Sequence, residues 1–236
     1  MIGTKIVLNR GGRDEAEKPF WISFADLMTA LMVLFLVVMG VALIAVTKNV
    51  TEREKKEERH RLDLELILDR FVAAAKQYDG IKVDRERRVI NFGERARFGF
   101  GKWDLASEQE GILRRFVPEM LDRANDELGQ RILKRFVVEG YTDKRGSYLF
   151  NLNLSLQRSQ RVLCAMFATA GPNILSDDQK EHVRNLFLAG GYSFNAAKET
   201  NEESRRVEMR MEFLGPDEQR PQIPMPSGRF GDCAVG

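Results

Sequence analysis

The chain has 236 residues, enough for one well-formed globular domain with additional segments. Its 37 Lys and Arg almost balance 35 Asp and Glu, a formal net charge of +2, which excludes the one-signed basic surface of a nucleic-acid binder. Two cysteines and two distant histidines, with no Cys-x-x-Cys pair, give no zinc, haem or iron–sulfur spacing, so neither metal nor cofactor is expected.

Residues 1–19 are polar, contain glycine and end in Lys18-Pro19, and they read as a cytoplasmic tail. From Phe20 to Val46 the chain runs FWISFADLMTALMVLFLVVMGVALIAV, with Ser23, Asp26 and Thr29 as its only strongly polar members. At 1.5 Å per residue this stretch spans roughly 40 Å as a helix, more than the ~30 Å hydrocarbon core of a bilayer. It is too long for a signal-peptide core and no small-residue cleavage site follows it. A transmembrane helix over 20–46 is predicted. Lys5, Arg10, Arg13 and Lys18 precede it, whereas Lys48, Arg53, Lys55, Lys56, Arg59 and Arg61 follow, so flanking charge does not choose an orientation.

Residues 47–79 are dense in Glu, Lys and Arg and then turn amphipathic. Leu64, Ile67, Leu68, Phe71, Val72, Ala75 and Tyr78 recur at three- and four-residue steps, the stripe of a helix. The segment is read as a helical linker whose apolar face packs on the next domain; pairing with a second copy of the chain is the alternative.

From residue 80 to 215 the pattern is that of an α+β domain. A strand is expected over Lys82 to Phe92, a loop over FGFGKWDL (98–105), and a helix from Ser107 to about Asn125. A strand follows over Arg135 to Tyr141, then a helix from Asn151 to about Ala168 with Leu152, Leu156, Val162, Leu163 and Met166 for its buried face. Ser176 caps a short helix, and strands lie near Leu186–Tyr192 and Arg206–Leu214. That order implies helices on one face of a small mixed sheet. Residues 216–236 are a Pro-rich tail without periodicity. Cys164 and Cys233 are either a buried small hydrophobe and an incidental tail thiol or a disulfide of the kind an oxidising compartment permits.

Asp26 is the first residue that carries chemistry. A carboxylate within a membrane helix costs roughly 2.5–3.5 kcal/mol on insertion scales, and such residues are functional sites by default. It lies ~9–10 Å inside the apolar run, and Ser23 and Thr29, three residues to either side, share its helix face. The run Phe20-Trp21-Ile22-Ser23-Phe24-Ala25-Asp26-Leu27-Met28-Thr29 resembles the transmembrane segment of MotB-type stator subunits. The resemblance implies that Asp26 carries protons or sodium ions at an interface with a multi-pass partner, and that two copies of the chain stand inside a partner ring.

A second constellation is independent of the first. Gly140-Tyr141-Thr142-Asp143, then Gly146, Asn151 and Leu154-Ser155-Leu156-Gln157-Arg158, resembles the OmpA-like peptidoglycan-binding signature. Gly190-Gly191-Tyr192 and Ser204-Arg205-Arg206-Val207-Glu208 are similar to its closing stretches. An acceptor-only carboxylate and a planar guanidinium together suit an amino-acid zwitterion. The resemblance implies that Asp143 takes the ammonium and Arg158 the carboxylate of a stem-peptide diaminopimelate. Thr142, Asn151, Leu152, Leu154 and Ser155 are then expected to shape the pocket and the start of its helix. A wall-binding domain after the membrane helix implies an inner-membrane protein with a cytoplasmic N-terminus and a periplasmic C-terminal domain.

The short linker, the Ala-Asp-Leu-Met core and the overall length are most similar to the ZorB family, the wall-binding subunits of Zorya anti-phage defence systems. That similarity implies a ZorA-like multi-pass partner, five copies around two. A flagellar MotB- or PomB-type stator subunit is one alternative. The other is a passive Pal-like tether, which would use Asp143 and Arg158 but leave Asp26 without purpose. No nucleophile–base set is visible, so no enzyme is expected.

Overall fold

The computed structural model describes residues 14–221 and 230–233, with the backbone alone over 14–20. The chain divides into two units, Met1–Lys56 and Glu57–Gly236. Most of the expected cytoplasmic tail and most of the C-terminal tail lie outside the described residues.

Helix α1 runs from Asp14 to Ala75. It therefore begins within the stretch read as a polar tail and continues without a break through the predicted membrane span and most of the linker. In the first unit the hydroxyl of Thr29 donates to the carbonyls of Ala25 and Asp26 at 3.0 and 2.8 Å, and that of Thr47 to Leu43 at 2.8 Å. Such back-bonding lets a hydroxyl satisfy itself on its own helix, as an apolar solvent demands.

In the second unit the last turns of α1 are part of the core. Ile67, Phe71 and Ala74 are fully buried, and the Phe71 ring meets Phe136 edge-on at 5.8 Å. The compact unit thus starts at Glu57, ahead of the expected boundary at residue 80. Burying Ile67, Leu68 and Phe71 stabilises this docking by about 1.5–3 kcal/mol each. Flanking ion pairs fix its register: Asp63 with Arg131 at 3.0 Å, Arg70 with Asp126 at 2.5 Å, and Glu65 and Asp69 with Arg85 at 2.8 and 2.6 Å. Exposed pairs contribute only about 0–1 kcal/mol, so the apolar stripe dominates.

The sheet has five strands in the order β1-β2-β5-β3-β4: β1 Lys82–Asp84, β2 Val89–Asn91, β3 Leu133–Gly140, β4 Phe187–Gly191 and β5 Val207–Phe213. All neighbours are antiparallel except β3 and β4. The remaining helices are α2 (Ser107–Asn125), α3 (Glu127–Ile132), α4 (Tyr148–Met166), α5 (Asp177–Leu186) and α6 (Asn201–Ser204). Phe136, Val138, Met209, Met211, Ile90 and Phe187 form one core with residues of α1, α2, α4 and α5. The expected α+β architecture is what the chain adopts.

Two expectations need correction. Lys82 to Phe92 is a hairpin rather than one strand, because Asp84 accepts from the Arg87 amide at 2.9 Å and Arg88 takes a positive φ of 56°. Leu156 was expected on the buried face of α4 but is 43% exposed. Helix α3 and the short α6 were not anticipated. Asp126 caps α3 by accepting from the Gly129 amide at 2.7 Å, and a Cβ on Gly129 would lie 2.0 Å from the Arg123 carbonyl oxygen.

The face of the sheet away from the helices carries buried charge. Glu139 and Glu208 face each other across β3 and β5, and both are fully buried. Arg210 grips Glu139 through Nε and Nη2 at 2.7 and 3.0 Å, and the Tyr141 hydroxyl donates to the same carboxylate at 2.6 Å. Glu208 accepts from Arg87 Nη2 at 2.7 Å and Arg206 Nε at 2.8 Å. Every acid in this row therefore meets a guanidinium, the condition under which buried carboxylates are tolerated.

Candidate functional site

Two glycines set the geometry of the site. A Cβ on Gly140 would sit 1.9 Å from the Ser155 carbonyl oxygen, and one on Gly191 would sit 2.7 Å from Ser155 Oγ. Without side chains there, α4 lies directly on the ends of β3 and β4. The chain beyond β3 is then pinned from both sides, since Tyr141 N donates to Arg206 O and Thr142 N to Ser193 O, each at 2.9 Å. Asp143 follows on this held segment.

Arg158 reaches the same place from α4 and is fully buried. Its Nε donates to the Lys102 carbonyl at 2.9 Å, Nη1 to Tyr141 at 2.7 Å and Nη2 to Gly99 at 3.2 Å. The guanidinium also lies over the Phe98 ring, 5.0 Å from its centroid. Burial and the neighbouring Arg205 lower its pKa to about 10, against the opposing pull of Asp143, so it remains a cation at neutral pH. Three of its five donors hold backbone carbonyls.

Asp143 is 3% exposed. Its Oδ1 accepts from the Arg145 amide at 3.1 Å. Its Oδ2 accepts from Arg145 Nε and Nη2 at 3.2 and 2.7 Å and from Arg205 Nη1 at 2.9 Å. Burial alone would raise the carboxyl pKa; bonds from Arg145 and Arg205 outweigh it and hold the group below the ordinary aspartate value.

Asp143, Arg158, Thr142 and Asn151 converge on one concavity, together with Phe100, Arg145, Phe150, Leu154 and Arg205. Asn151 is buried and its Nδ2 donates to the Arg145 and Ser147 carbonyls at 2.8 and 3.2 Å, tying the 143–147 loop to α4. Thr142 is 1% exposed, and its hydroxyl has no protein partner. Leu152 and Ser155 do not line the concavity, contrary to expectation. Ser155 Oγ instead donates to the Leu152 carbonyl at 2.7 Å and accepts from Ser193 N at 3.0 Å, which makes it a buttress behind the site. Phe100, Arg145 and Arg205 were missed. Arg205 lay within the closing stretch already noticed and Phe100 within the aromatic loop, so their positions in chain were visible but their convergence was not.

The other candidate site belongs to the first unit. Ser23, Asp26 and Thr29 lie on consecutive turns of α1, and the Thr29 hydroxyl is spent on its own helix. Cys164 on α4 and Cys233 form a disulfide with a Cα–Cα distance of 5.6 Å, and the rings of Phe167 and Phe230 lie 5.1 Å apart beside it.

Residues 8–49 match the family described as membrane MotB of the proton-channel complex MotA/MotB. Among solved structures, the periplasmic domain of MotB superimposes with a TM-score of 0.39 at 13% identity, over 55% of this chain and 65% of that one, slightly under two-thirds of its length. The OmpA-like domain of FopA1 from Francisella tularensis subsp. tularensis SCHU S4 gives 0.35 at 16% identity, over 54% and 75%. Scores this low carry no weight by themselves. The Zorya protein ZorB of Escherichia coli O139:H28 (strain E24377A / ETEC) is 44% identical over 223 residues, covering 93% of this chain and 91% of that protein. With that identity over nearly the full length of both proteins, the chain belongs to the ZorB family of Zorya proteins.

Proposed function

We propose that the chain is the wall-anchored stator subunit of an ion-driven inner-membrane motor that serves Zorya anti-phage defence. Asp26 carries protons or sodium ions at the interface with a ZorA-like multi-pass protein, five copies of which surround two of this chain. The N-terminus is cytoplasmic and the Glu57–Gly236 unit periplasmic, where Asp143 and Arg158 hold the diaminopimelate end of a peptidoglycan stem peptide.

The observation that carries this reading is Asp26 itself, an acid inside an apolar helix of a chain 44% identical to ZorB. Each charge that crosses releases roughly 2.3 kcal/mol per 100 mV of membrane potential. Anchorage makes that energy mechanical, because a held stator can push against its partner. The paired charges of Asp143 and Arg158 fit a zwitterion, and a charged network fixes both groups before the ligand arrives.

The test separates motor from tether. Asp26→Asn is expected to leave binding to isolated peptidoglycan sacculi unchanged while abolishing protection of cells against phage. A variant that still protects at the wild-type level would identify a passive tether. Asp143→Asn is expected to do the reverse at the molecular level, reducing sacculus binding about tenfold or more, the scale of one charge-assisted contact.

A further inference from the structure

In the free domain Asp143 is already engaged by two arginines, Arg145 and Arg205. Asp143 Oδ2 has two lone pairs, yet three N–H donors already point at it, two of them from Arg145. Arg205 is fixed, since its Nε donates to the Phe98 carbonyl at 3.0 Å and its Nη2 to Glu202 at 2.8 Å. Arg145 is held more lightly. Its side chain is 49% exposed, and beyond Asp143 its guanidinium lies over the face of Phe100, 4.2 Å from the ring centroid. Phe100 is itself 61% exposed.

With Arg145 in place the concavity leaves about 10 Å³ in which the centre of a water fits, at the lower limit for one water and too little for an amino-acid end. Around that space lie groups whose hydrogen-bonding capacity the protein does not use. The buried Thr142 hydroxyl has no protein partner, and two donors of Arg158 are left over after its three bonds to carbonyls. Leaving a buried hydroxyl unmatched is costly, and a ligand carboxylate or carbonyl would match it.

We infer that Arg145 is a built-in competitor for the cationic group of the ligand: its guanidinium occupies Asp143 in the free domain and must swing out before an amino-acid zwitterion can bridge Asp143 and Arg158. The inference rests on the wall-binding reading above. Arg145 mimics the ammonium it excludes, so a ligand binds only the open fraction of molecules, and the apparent affinity falls by that fraction. The open guanidinium leaves a bond made at 2.7 Å to a largely buried carboxylate, so the closed form dominates without ligand.

The test measures binding of a soluble disaccharide tripeptide ending in meso-diaminopimelate to the full-length chain in detergent, by calorimetry and stopped-flow. Arg145→Ala is expected to bind about three- to tenfold tighter than wild type, with the gain in the association rate. Arg145→Gln, which keeps most of the stem but not the charge, shifts the same way. Equal affinity in both variants overturns the inference, and weaker binding overturns it by making Arg145 a ligand contact. Asp143→Asn separates this from the underlying reading. If neither wild type nor the Arg145 variants bind, or if Asp143→Asn binds like wild type, the wall-binding reading fails and the competitor role falls with it.

Discussion

Arg158 has two jobs at once. It fills the site, and it also closes the protein around itself through bonds to the carbonyls of Gly99, Lys102 and Tyr141. Replacing it with Leu leaves three acceptors short of a donor, a loss of about 3 kcal/mol or more by chemical or thermal unfolding. Loss of ligand binding in that variant would confound site with fold, which makes Asp143→Asn the cleaner probe. Acid provides another residue-scale test. Burial would raise the Glu208 pKa, but hydrogen bonds from Arg87 and Arg206 outweigh it and set it below the ordinary glutamate value, and Asp143 is lowered likewise by Arg145 and Arg205. A depressed carboxyl stabilises the fold fully above the unfolded value near about pH 4 and loses that contribution as pH falls through the folded value. Thermal midpoints should therefore drop as the pH falls below about 5, and Glu208→Gln should start lower at neutral pH but fall less on acidification. An unchanged acid limb would show that the carboxylate adds nothing.

At the scale of elements, the end of α1 behaves as the first helix of the domain. Phe71 is fully buried against Phe136, and Phe71→Ala is expected to cost about 3–5 kcal/mol, read from urea unfolding of the full-length chain. The stripe that reveals this docking was legible, because Leu64, Ile67, Leu68 and Phe71 follow helical spacing whichever surface they meet. Its packing on the next domain was read from the same stripe and is what Ile67 and Phe71 do, whereas periodicity did not show that the compact unit already begins at Glu57. The β1–β2 hairpin was misread for a related reason. Val83, Val89 and Ile90 suit either one strand or two, and the turn is signalled only by Asp84 bonding to its own backbone. The Cys164–Cys233 bridge closes a loop of 69 residues, so reducing it should cost about 4 kcal/mol on the loop-entropy account, measured as a shift in unfolding under a thiol reductant.

Of the candidate site, Asp143, Arg158, Thr142 and Asn151 were legible from motif spacing, because strand end and helix face bring that spacing together. Arg145 and Arg205 were not. Both are ordinary charged residues in sequence, and only the folded loop shows them competing for one carboxylate. In the whole molecule the two chemistries lie on separate units, an acid in an apolar helix and a charged clamp in the α+β domain. That separation gives the motor proposal a sharp consequence, since ion carriage and anchorage should fail independently.

The most direct test is ion flux in proteoliposomes that hold this chain with its ZorA-like partner, under separate proton and sodium gradients. Wild type and Asp143→Asn are expected to conduct one of the two ions equally well, and Asp26→Asn to conduct neither. Undiminished flux through the Asp26→Asn complex would contradict the account.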